Sequence, residues 1–255
     1  MILDKITAVK RSEVAARKAA TPLAALKEMI AGAPPVRDFG AALVRGGIIA
    51  EVKRRSPSRG VLREDFDPIR IAREYEGHGA AAISVLTDET FFGGSDADLT
   101  AVRRAVSLPV LRKEFIIDPW QVHEARAIGA DALLLIAAIL TEKQLREYRE
   151  LAASLDMAAL VEVHDREELE RALASGAGIV GINNRNLQTF VTDIRTSLEL
   201  APLIPADRII VSESGIRTRA EIETLLKAGI RAFLVGETLI ASPRIGPALE
   251  VLLGR

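Results

Sequence analysis

An acidic and a basic side chain stand near the end of one apolar run, close to the start of the chain. The segment IIAEVKRRSPSRG, residues 48–60, places Glu51 and Lys53 two positions apart. In an extended strand, residues two positions apart project from the same face. Opposite charges on such an apolar strand are typical of the C-terminal rim of a parallel β/α barrel, where active sites lie. The pair therefore predicts acid–base chemistry at the mouth of a barrel.

Two more ionisable side chains belong to apolar runs later in the chain. Lys113 ends the run VLRK, and Glu162 lies between two valines. In a pocket, burial and neighbouring cations would bring the pKa of Lys113 toward the working pH, which suits a general acid. A surface lysine paired with Glu114 is the alternative. An inward carboxylate on a barrel strand needs a partner or a function, and for Glu162 an ion pair with a rim lysine is compatible with both.

The histidine after this strand does not indicate a metal site. We expect His164 on the face of the strand opposite to Glu162, and no second histidine stands at ligand spacing. A catalytic metal ion is therefore not expected. A Schiff base formed by Lys53 or Lys113 is a more serious alternative use of these lysines, because an amine in a pocket can add to a carbonyl carbon.

Glycine turns follow the last two apolar runs and predict an anion site. SESGI occupies residues 212–216, and GETL occupies residues 236–239. Barrels commonly bind phosphate after their seventh and eighth strands, through backbone N–H groups of such turns and a helix N-terminus. Gly215 and Gly236 would let the backbone approach the anion closely because they lack a side chain. A plain tight turn is the alternative for either motif alone, but Ser56 and Ser58 at the first strand end favour phosphate.

Two further loops could contact a substrate. Asn183 and Arg185 follow the sixth apolar run, where they could orient polar groups, although Asn183-Asn184 is also ordinary turn chemistry. The segment FFGGS, residues 91–95, indicates a mobile loop with an aromatic wall or, equally, a plain loop with a buried phenylalanine.

Eight strand and helix signals alternate from about residue 48 onward and would position these side chains. Strands are predicted near 48–53, 81–86, 109–113, 132–136, 158–163, 178–182, 208–212 and 231–235. Amphipathic helical patterns lie between them, and Asp118, Thr141 and Asp165 are placed to cap helices. Glycines that could end a helix before the next strand are Gly79, Gly129, Gly176 and Gly229. Eight such units favour a closed (β/α)8 TIM barrel over an open doubly wound sheet.

The first 45 residues stand outside this alternation. We expect residues 1–255 to form a single barrel domain, with residues 1–45 as an N-terminal helical extension and residues 46–255 as eight βα units. The extension is predicted to hold helices near 3–19 and 23–31. Whether it closes over the substrate or only packs against the barrel is left open by the sequence.

The composition limits the cellular compartment and the classes of binding partner that we expect. A net charge of −1 and an aromatic content of 4% give no reason to expect nucleic acid or an anionic membrane as a partner. The chain has no cysteine, which excludes disulfides, thiol nucleophiles and thiolate metal sites. No apolar run approaches the roughly 20 residues of a membrane-spanning helix. A cytoplasmic enzyme with a small-molecule substrate is expected; the oligomeric state is open, and a monomer is plausible.

Taken together, these motifs resemble the indole-3-glycerol phosphate synthase family over nearly the whole chain. The motifs that carry the resemblance are IAEVKR (49–54) with SPS (56–58), LTDE (86–89) with Phe92, Gly94 and Ser95, LRK (111–113), LVEVH (160–164), GINNRNL (181–187) and SESGI (212–216). Small departures are Glu114, where the family often has aspartate, and Trp120, where it often has tyrosine. The resemblance implies conversion of 1-(2-carboxyphenylamino)-1-deoxyribulose 5-phosphate to indole-3-glycerol phosphate with loss of CO2 and water, and no metal or organic cofactor.

The same resemblance implies a role for each pocket residue. Lys113 would be the general acid that promotes ring closure and protonates the departing hydroxyl, and Lys53 would pair with the substrate carboxylate and assist later proton transfer. Glu162 and Glu51 would stabilise the cationic intermediate and take part in dehydration, while Glu213 would hold the charged network in place. Substrate contacts would come from Asn183, Arg185, Phe92, Phe115, Leu134 and Leu187. Phosphate contacts would come from Ser56, Ser214, Gly215, Gly236 and Glu237.

Two other readings of the sequence are considered. A barrel like phosphoribosylanthranilate isomerase would share the phosphate site but would need a different acid–base pair. A barrel that only binds a sugar phosphate would be expected to lack at least one ionisable group. The presence of Lys53, Lys113 and Glu162 together favours the synthase over both.

Overall fold

The protein is a closed barrel of eight parallel strands, as the sequence predicts. The structure is a computed structural model that describes residues 2–57, 59–186 and 189–255. The barrel strands are β1 (Gly47–Val52), β2 (Ala82–Leu86), β3 (Val110–Lys113), β4 (Ala132–Ile136), β5 (Ala158–Val163), β6 (Ile179–Asn183), β7 (Ile209–Glu213) and β8 (Ala232–Val235). Each strand pairs with its neighbours in the chain, and β8 pairs with β1 to close the barrel. The TIM barrel is confirmed, and every strand lies within one residue of its predicted bounds.

Helices surround the barrel and precede it. The helices are α1 (Ile2–Ala20), α2 (Leu23–Ala31), α3 (Phe39–Val44), α4 (Pro68–Gly77), α5 (Glu89–Phe92), α6 (Asp96–Ala105), α7 (Pro119–Ala127), α8 (Glu142–Ser154), α9 (Arg166–Ala174), α10 (Arg195–Leu200), α11 (Arg219–Lys227), α12 (Glu237–Ile240) and α13 (Ile245–Leu253), with a 3-10 turn at Ala201–Leu203. Asp118, Thr141 and Asp165 cap α7, α8 and α9 through their side chains, as predicted. Among the described residues, no helix combines the length and hydropathy needed to cross a membrane.

Local backbone chemistry sets the repeated turns from helix to strand. Gly79, Gly129, Gly176 and Gly229 have φ values of +89°, +94°, +86° and +84°. This left-handed region is accessible to glycine without steric cost, so each glycine ends a helix and turns the chain toward the next strand.

Strand side chains contribute to two apolar clusters, one inside the barrel and one between the barrel and the helices. The inner cluster includes Ile49, Leu111, Leu134 and Leu160 and also takes in Phe39 and Leu43 of α3. The outer cluster joins the opposite strand faces to the surrounding helices. Because strand residues alternate in direction, the inner and outer clusters share the same eight strands. Helix α3 is not predicted from the sequence, since six residues are too few to display helical periodicity.

The N-terminal extension is tied to the barrel by buried charges as well as by apolar contacts. Lys10 of α1 is buried, and its Nζ lies 2.9 Å from Asp88 and 3.0 Å from Glu114. Farther along α1, Arg17 pairs with Asp96 and Glu124 and lies over the ring of Trp120. Unpaired buried carboxylates are costly, so these contacts fix α1 against the barrel.

Candidate active site

A cavity of about 630 Å³ opens at the C-terminal ends of the strands. It brings together nearly all of the residues that the sequence singles out: Glu51, Lys53, Ser56, Phe92, Lys113, Phe115, Leu134, Glu162, Asn183, Arg185, Glu213, Ser214, Gly215, Gly236 and Glu237. Leu187, also predicted to contact the substrate, and Ser58 lie outside the described residues. Ile2, Leu3 and Ile6 of α1 line the cavity too, so the extension contributes to the pocket wall.

Two lysines meet carboxylates at the floor of this cavity. Nζ of Lys113 donates to Oε2 of Glu162 at 2.9 Å and to Oε2 of Glu213 at 2.7 Å. Nζ of Lys53 donates to Oε1 of Glu51 at 2.5 Å, as the two-residue spacing on β1 predicts. The alternative of a surface lysine paired with Glu114 is wrong for Lys113, because Glu114 turns instead to Lys10 and to the hydroxyl of Thr87.

The pKa expected for Lys113 from the sequence is wrong. Burial would lower the pKa of Lys113, but the carboxylates of Glu162, Glu213 and Glu51 outweigh it and raise that pKa above its ordinary value. The sequence prediction assumed neighbouring cations, whereas the nearest charges are anions. These carboxylates favour the ammonium form of Lys113, so a strong base is needed to take its proton.

The two carboxylates on Lys113 differ in their affinity for protons. Burial would raise the pKa of Glu162, yet Lys113 and His164 hold it well below its ordinary value. Burial raises the pKa of Glu213 above its ordinary value; the charge of Lys113 offsets this only in part, and the charge of Glu162 raises the pKa further. Two neighbouring carboxyl groups with pKa values pushed apart are suited to opposite acid and base roles.

Two glycines make room for these carboxylates. A Cβ on Gly181 of β6 would collide with Oε1 of Glu213, and a Cβ on Gly236 would collide with Oε1 of Glu51. Gly236 thus makes room for Glu51, a role that differs from the phosphate contact predicted for it from the sequence. Gly181 was missed as a functional position; a glycine in a strand interior, where it weakens the strand, is the signal that could have found it.

His164 faces Glu162, contrary to the sequence prediction. Its Nε2 lies 3.4 Å from Oε1 of Glu162, and its Nδ1 lies 3.0 Å from Oε2 of Glu168. The prediction of opposite faces treated the two residues as adjacent, but they are two positions apart and therefore share a face. Among the described residues, no group of three or more acidic, histidine or cysteine side chains is arranged to hold a metal ion.

The turn after β7 has a left-handed backbone conformation. Ser214 and Gly215 both have left-handed φ values, +66° and +78°. Successive residues in such turns can direct their N–H groups into a shared concavity. A buried amide supports this turn: Nδ2 of Asn184 donates to the carbonyl of Ser214 at 3.0 Å and to the hydroxyl of Ser212 at 2.9 Å. Asn184 is therefore a structural support of the turn, which sequence spacing alone did not separate from its neighbour Asn183.

Glu237 connects two basic loops at the rim. Its carboxylate accepts from Arg185 at 2.9 Å and also pairs with Arg59. A carboxylate repels phosphate, so this side chain can act on an anion only through the arginines that it holds.

One part of the cavity wall is apolar. The rings of Phe92 and Phe115 lie with centroids 6.0 Å apart at an angle of 35°. Leu134 and Ile136 of β4 lie on the same cavity surface, and α1 contributes Ile6. The pocket is thus divided into a charged floor, a glycine-rich rim and an aromatic wall, which suits a ligand with an aryl ring at one end and a phosphate at the other.

Solved structures of low sequence identity show the same fold. A 3-hexulose-6-phosphate synthase has a TM-score of 0.65 at 16% identity and covers 82% of this chain and 98% of its own. A thiamine phosphate pyrophosphorylase from Pyrococcus furiosus has a TM-score of 0.62 at 16% identity, with 82% and 95% covered.

Sequence relatives are much closer. An indole-3-glycerol phosphate synthase from Acidithiobacillus ferrooxidans is 52% identical over 98% of both chains. Another, from Burkholderia vietnamiensis, is 54% identical over 97% of both chains. The family model described as indole-3-glycerol phosphate synthase matches residues 3–252. Since the match spans almost the entire chain, the protein belongs to the indole-3-glycerol phosphate synthase family.

Proposed function

We propose that this chain closes the ring of 1-(2-carboxyphenylamino)-1-deoxyribulose 5-phosphate to give indole-3-glycerol phosphate, with loss of CO2 and water. One observation carries the proposal: Lys113, held between Glu162 and Glu213, faces the same cavity as the left-handed turn Ser214–Gly215. An acid and an anion site within one pocket fit a phosphorylated ketone. Family membership over nearly the full length supports the same reaction.

The substrate phosphate would lie at the rim. The N–H groups of the Ser214–Gly215 turn would bind its oxygens, and Ser56 would add a donor from the loop after β1. We give the side chain of Glu237 an indirect part, since it holds the guanidinium groups of Arg59 and Arg185, which are suited to phosphate. With the phosphate anchored, the rest of the molecule reaches across the mouth toward the aromatic wall.

The aryl ring would lie against Phe92, Phe115 and Leu134, covered by the apolar start of α1. Its carboxylate would meet the ammonium of Lys53, while Asn183 would contact polar groups of the sugar chain. Fixing both ends of the substrate holds the ring carbon close to the ketone carbon, which lowers the entropic part of the barrier.

Ring closure joins the ring carbon that bears the carboxylate to the ketone carbon. The ketone oxygen becomes an alkoxide, a base strong enough to take a proton even from a lysine whose pKa is raised, so Lys113 would act as the acid here. The ring nitrogen becomes a cationic iminium at the same time. The carboxylates of Glu162 and Glu51 would stabilise that charge until CO2 leaves and its electrons neutralise the nitrogen.

Dehydration then needs an acid at the hydroxyl and a base at the neighbouring CH2 group. Glu162 stays ionised and suits the base, whereas the raised pKa of Glu213 lets it carry a proton. We therefore extend the role of Glu213 from a holder of the charged network to a proton carrier.

The proposed reaction is tested by incubating the purified protein with the carboxyphenylamino ribulose phosphate. We expect indole fluorescence to rise and one molecule of CO2 to be released for each indole formed. Binding of the substrate without either product would contradict the proposal and favour a barrel that only binds a sugar phosphate.

Replacing Asn184 by aspartate should weaken phosphate binding specifically. Loss of the buried amide donor to Ser214 costs about 1–3 kcal/mol, so we expect KM to rise about tenfold while kcat changes little. Steady-state kinetics and inhibition by inorganic phosphate measure the effect. Ser197→Ala is the matched control, because it removes a donor to Oδ1 of Asn184 but leaves the bond to Ser214. Equal effects of both variants would contradict a role for the amide at the turn.

We further propose that residues 1–255 fold as a single barrel domain and that the protein works in the cytoplasm. The buried ion pairs of Lys10 with Asp88 and Glu114 support one folding unit, since they join the extension to the barrel. A chain without cysteine suits a reducing compartment.

A further inference from the structure

A line of contacts leads from the pocket to the outer helix α9 through His164. One ring nitrogen, Nδ1, lies 3.0 Å from Oε2 of Glu168, and the other, Nε2, lies 3.4 Å from Oε1 of Glu162. The second carboxylate oxygen of Glu162 accepts from Lys113 at 2.9 Å. The side chains of His164 and Glu168 are 11% and 12% exposed, against 5% for Glu162. The line therefore joins a pocket carboxylate to groups nearer the solvent.

The position of the ring between the carboxylates of Glu162 and Glu168 favours its protonated form. A carboxylate only accepts, so Nδ1 must carry its hydrogen toward Glu168. A neutral ring would then direct the lone pair of Nε2 at the carboxylate of Glu162, and this buried nitrogen has no hydrogen-bond partner among the described residues. An imidazolium would offer Glu162 a proton instead. Burial opposes the charged ring, but the bond to Glu168 and the charge of Glu162 outweigh it and raise the pKa of His164.

The proposed reaction takes up one proton in each turnover. The ketone oxygen accepts one proton when the ring closes and a second when it leaves as water. The CH2 group beside the nitrogen returns only one of these. Because CO2 leaves without a proton, the missing one must come from solvent. A pocket floor of nearly buried charges therefore needs a route by which that proton enters.

Resting on the proposed function, we propose that His164 is a positioning residue that orients Glu162 and relays the solvent proton to it. Once Lys113 has given its proton to the substrate oxygen, the neutral amine no longer stabilises the carboxylate of Glu162. The imidazolium then gives its Nε2 proton to Oε1 of Glu162. The carboxyl group turns about its terminal bond and returns the proton to Lys113. The neutral imidazole regains a proton from solvent, so one proton is taken up and no electrons are exchanged.

The charged groups around the ring set the direction of its pH dependence. Glu162 of β5, Glu213 of β7 and Glu168 of α9 act on it directly, with Lys113 of β3 behind Glu162. All three carboxyl groups favour the charged ring, so it stays protonated above its ordinary pKa of 6.5 and loses its proton as the pH rises through the raised value. The relay therefore predicts that the rate of indole formation declines as the pH rises through that window.

The contacts of His164 with Glu162 and Glu168 can be tested without turnover. The chain has only three histidines, so their NMR signals can be told apart. An NMR pH titration of the imidazole signals gives each pKa, and the His164 signal is the one lost in His164→Gln. Glu168→Gln and Glu162→Gln should each lower the pKa of His164, whereas His123→Gln on α7 should leave it unchanged. An unshifted pKa in both glutamate variants would overturn the relay.

The steady-state rate of indole formation across a range of pH tests the relay itself, because Lys113 must regain its proton before each new turnover. His164→Gln should slow it about 10²-fold, the lower end of general acid–base effects, and should remove the alkaline decline. Glu168→Gln should move the decline to lower pH, and His123→Gln should match the wild type. An unchanged rate and pH profile in His164→Gln would overturn the relay alone. No indole from the wild-type protein would overturn the proposed function and the relay with it.

Discussion

Lys113→Met should lower kcat about 10³-fold or more, since it removes the acid at the developing alkoxide. The ammonium is held by Glu162 and Glu213 at 2.9 and 2.7 Å, so its direction is fixed before the substrate arrives. The contact matters most in the transition state, where the oxygen becomes charged. We therefore expect KM to stay within about tenfold of the wild type. Steady-state assays of indole fluorescence measure both constants.

In Lys113→Met, an effect of unbalanced charge on stability must be separated from the loss of the catalytic acid. Lys113→Met leaves two buried carboxylates without their cation, which could weaken the fold. Combining it with Glu213→Gln removes one of those charges, and we expect the double variant to recover stability but not activity. Lys143→Met is the surface control, because that side chain is 83% exposed. A kcat near the wild-type value in folded Lys113→Met would sink the assigned role.

Arg112→Met should lower the free energy of unfolding by about 3–5 kcal/mol, the cost of breaking a buried ion pair. Arg112 is completely buried between β3 and the helices α6 and α7, and its Nη2 lies 2.8 Å from Glu124 and 2.9 Å from Asp96. Methionine fills part of the volume but leaves these carboxylates with Arg17 as their remaining cation. Urea unfolding followed by circular dichroism measures the loss.

A surface ion pair gives the comparison for Arg112. Arg166 of α9 is 73% exposed and pairs with Glu170, so Arg166→Met should cost less than about 1 kcal/mol. If both variants were equally stable, the network around Arg112 would contribute little, and the attachment of α1 would depend on the ion pairs of Lys10 and on apolar contacts.

The fold was predictable because its signals are local and repeated. Each barrel strand is a short apolar run, and glycines such as Gly129 and Gly176 mark the turns that precede strands. Closing of the barrel follows from the number of units, which fixes strand tilt and size together. Helix α3 was not predicted because tertiary contacts stabilise it: Phe39 and Leu43 pack into the apolar cluster inside the barrel.

The proximity of the site residues was predictable for the same reason, but their pKa values were not. Strand ends of a parallel barrel meet at one rim, so Lys113 and Glu162 had to lie near each other. Their pKa values depend on which charges converge from remote positions, and Glu213 is 100 residues away from its partner Lys113. Lys10 illustrates the same limit, since its carboxylate partners Asp88 and Glu114 come from two different barrel loops.

Ile2 and Arg255 lie at different faces of the barrel, and this decides where a tag can be attached. Ile2 and Leu3 line the cavity, so any polypeptide attached ahead of them would emerge at the substrate entrance. Arg255 lies instead beside Gly79, in the turn that leads into the N-terminal end of β2. Affinity tags, fluorescent fusions and surface tethers are therefore best joined after Arg255, where they leave the entrance clear.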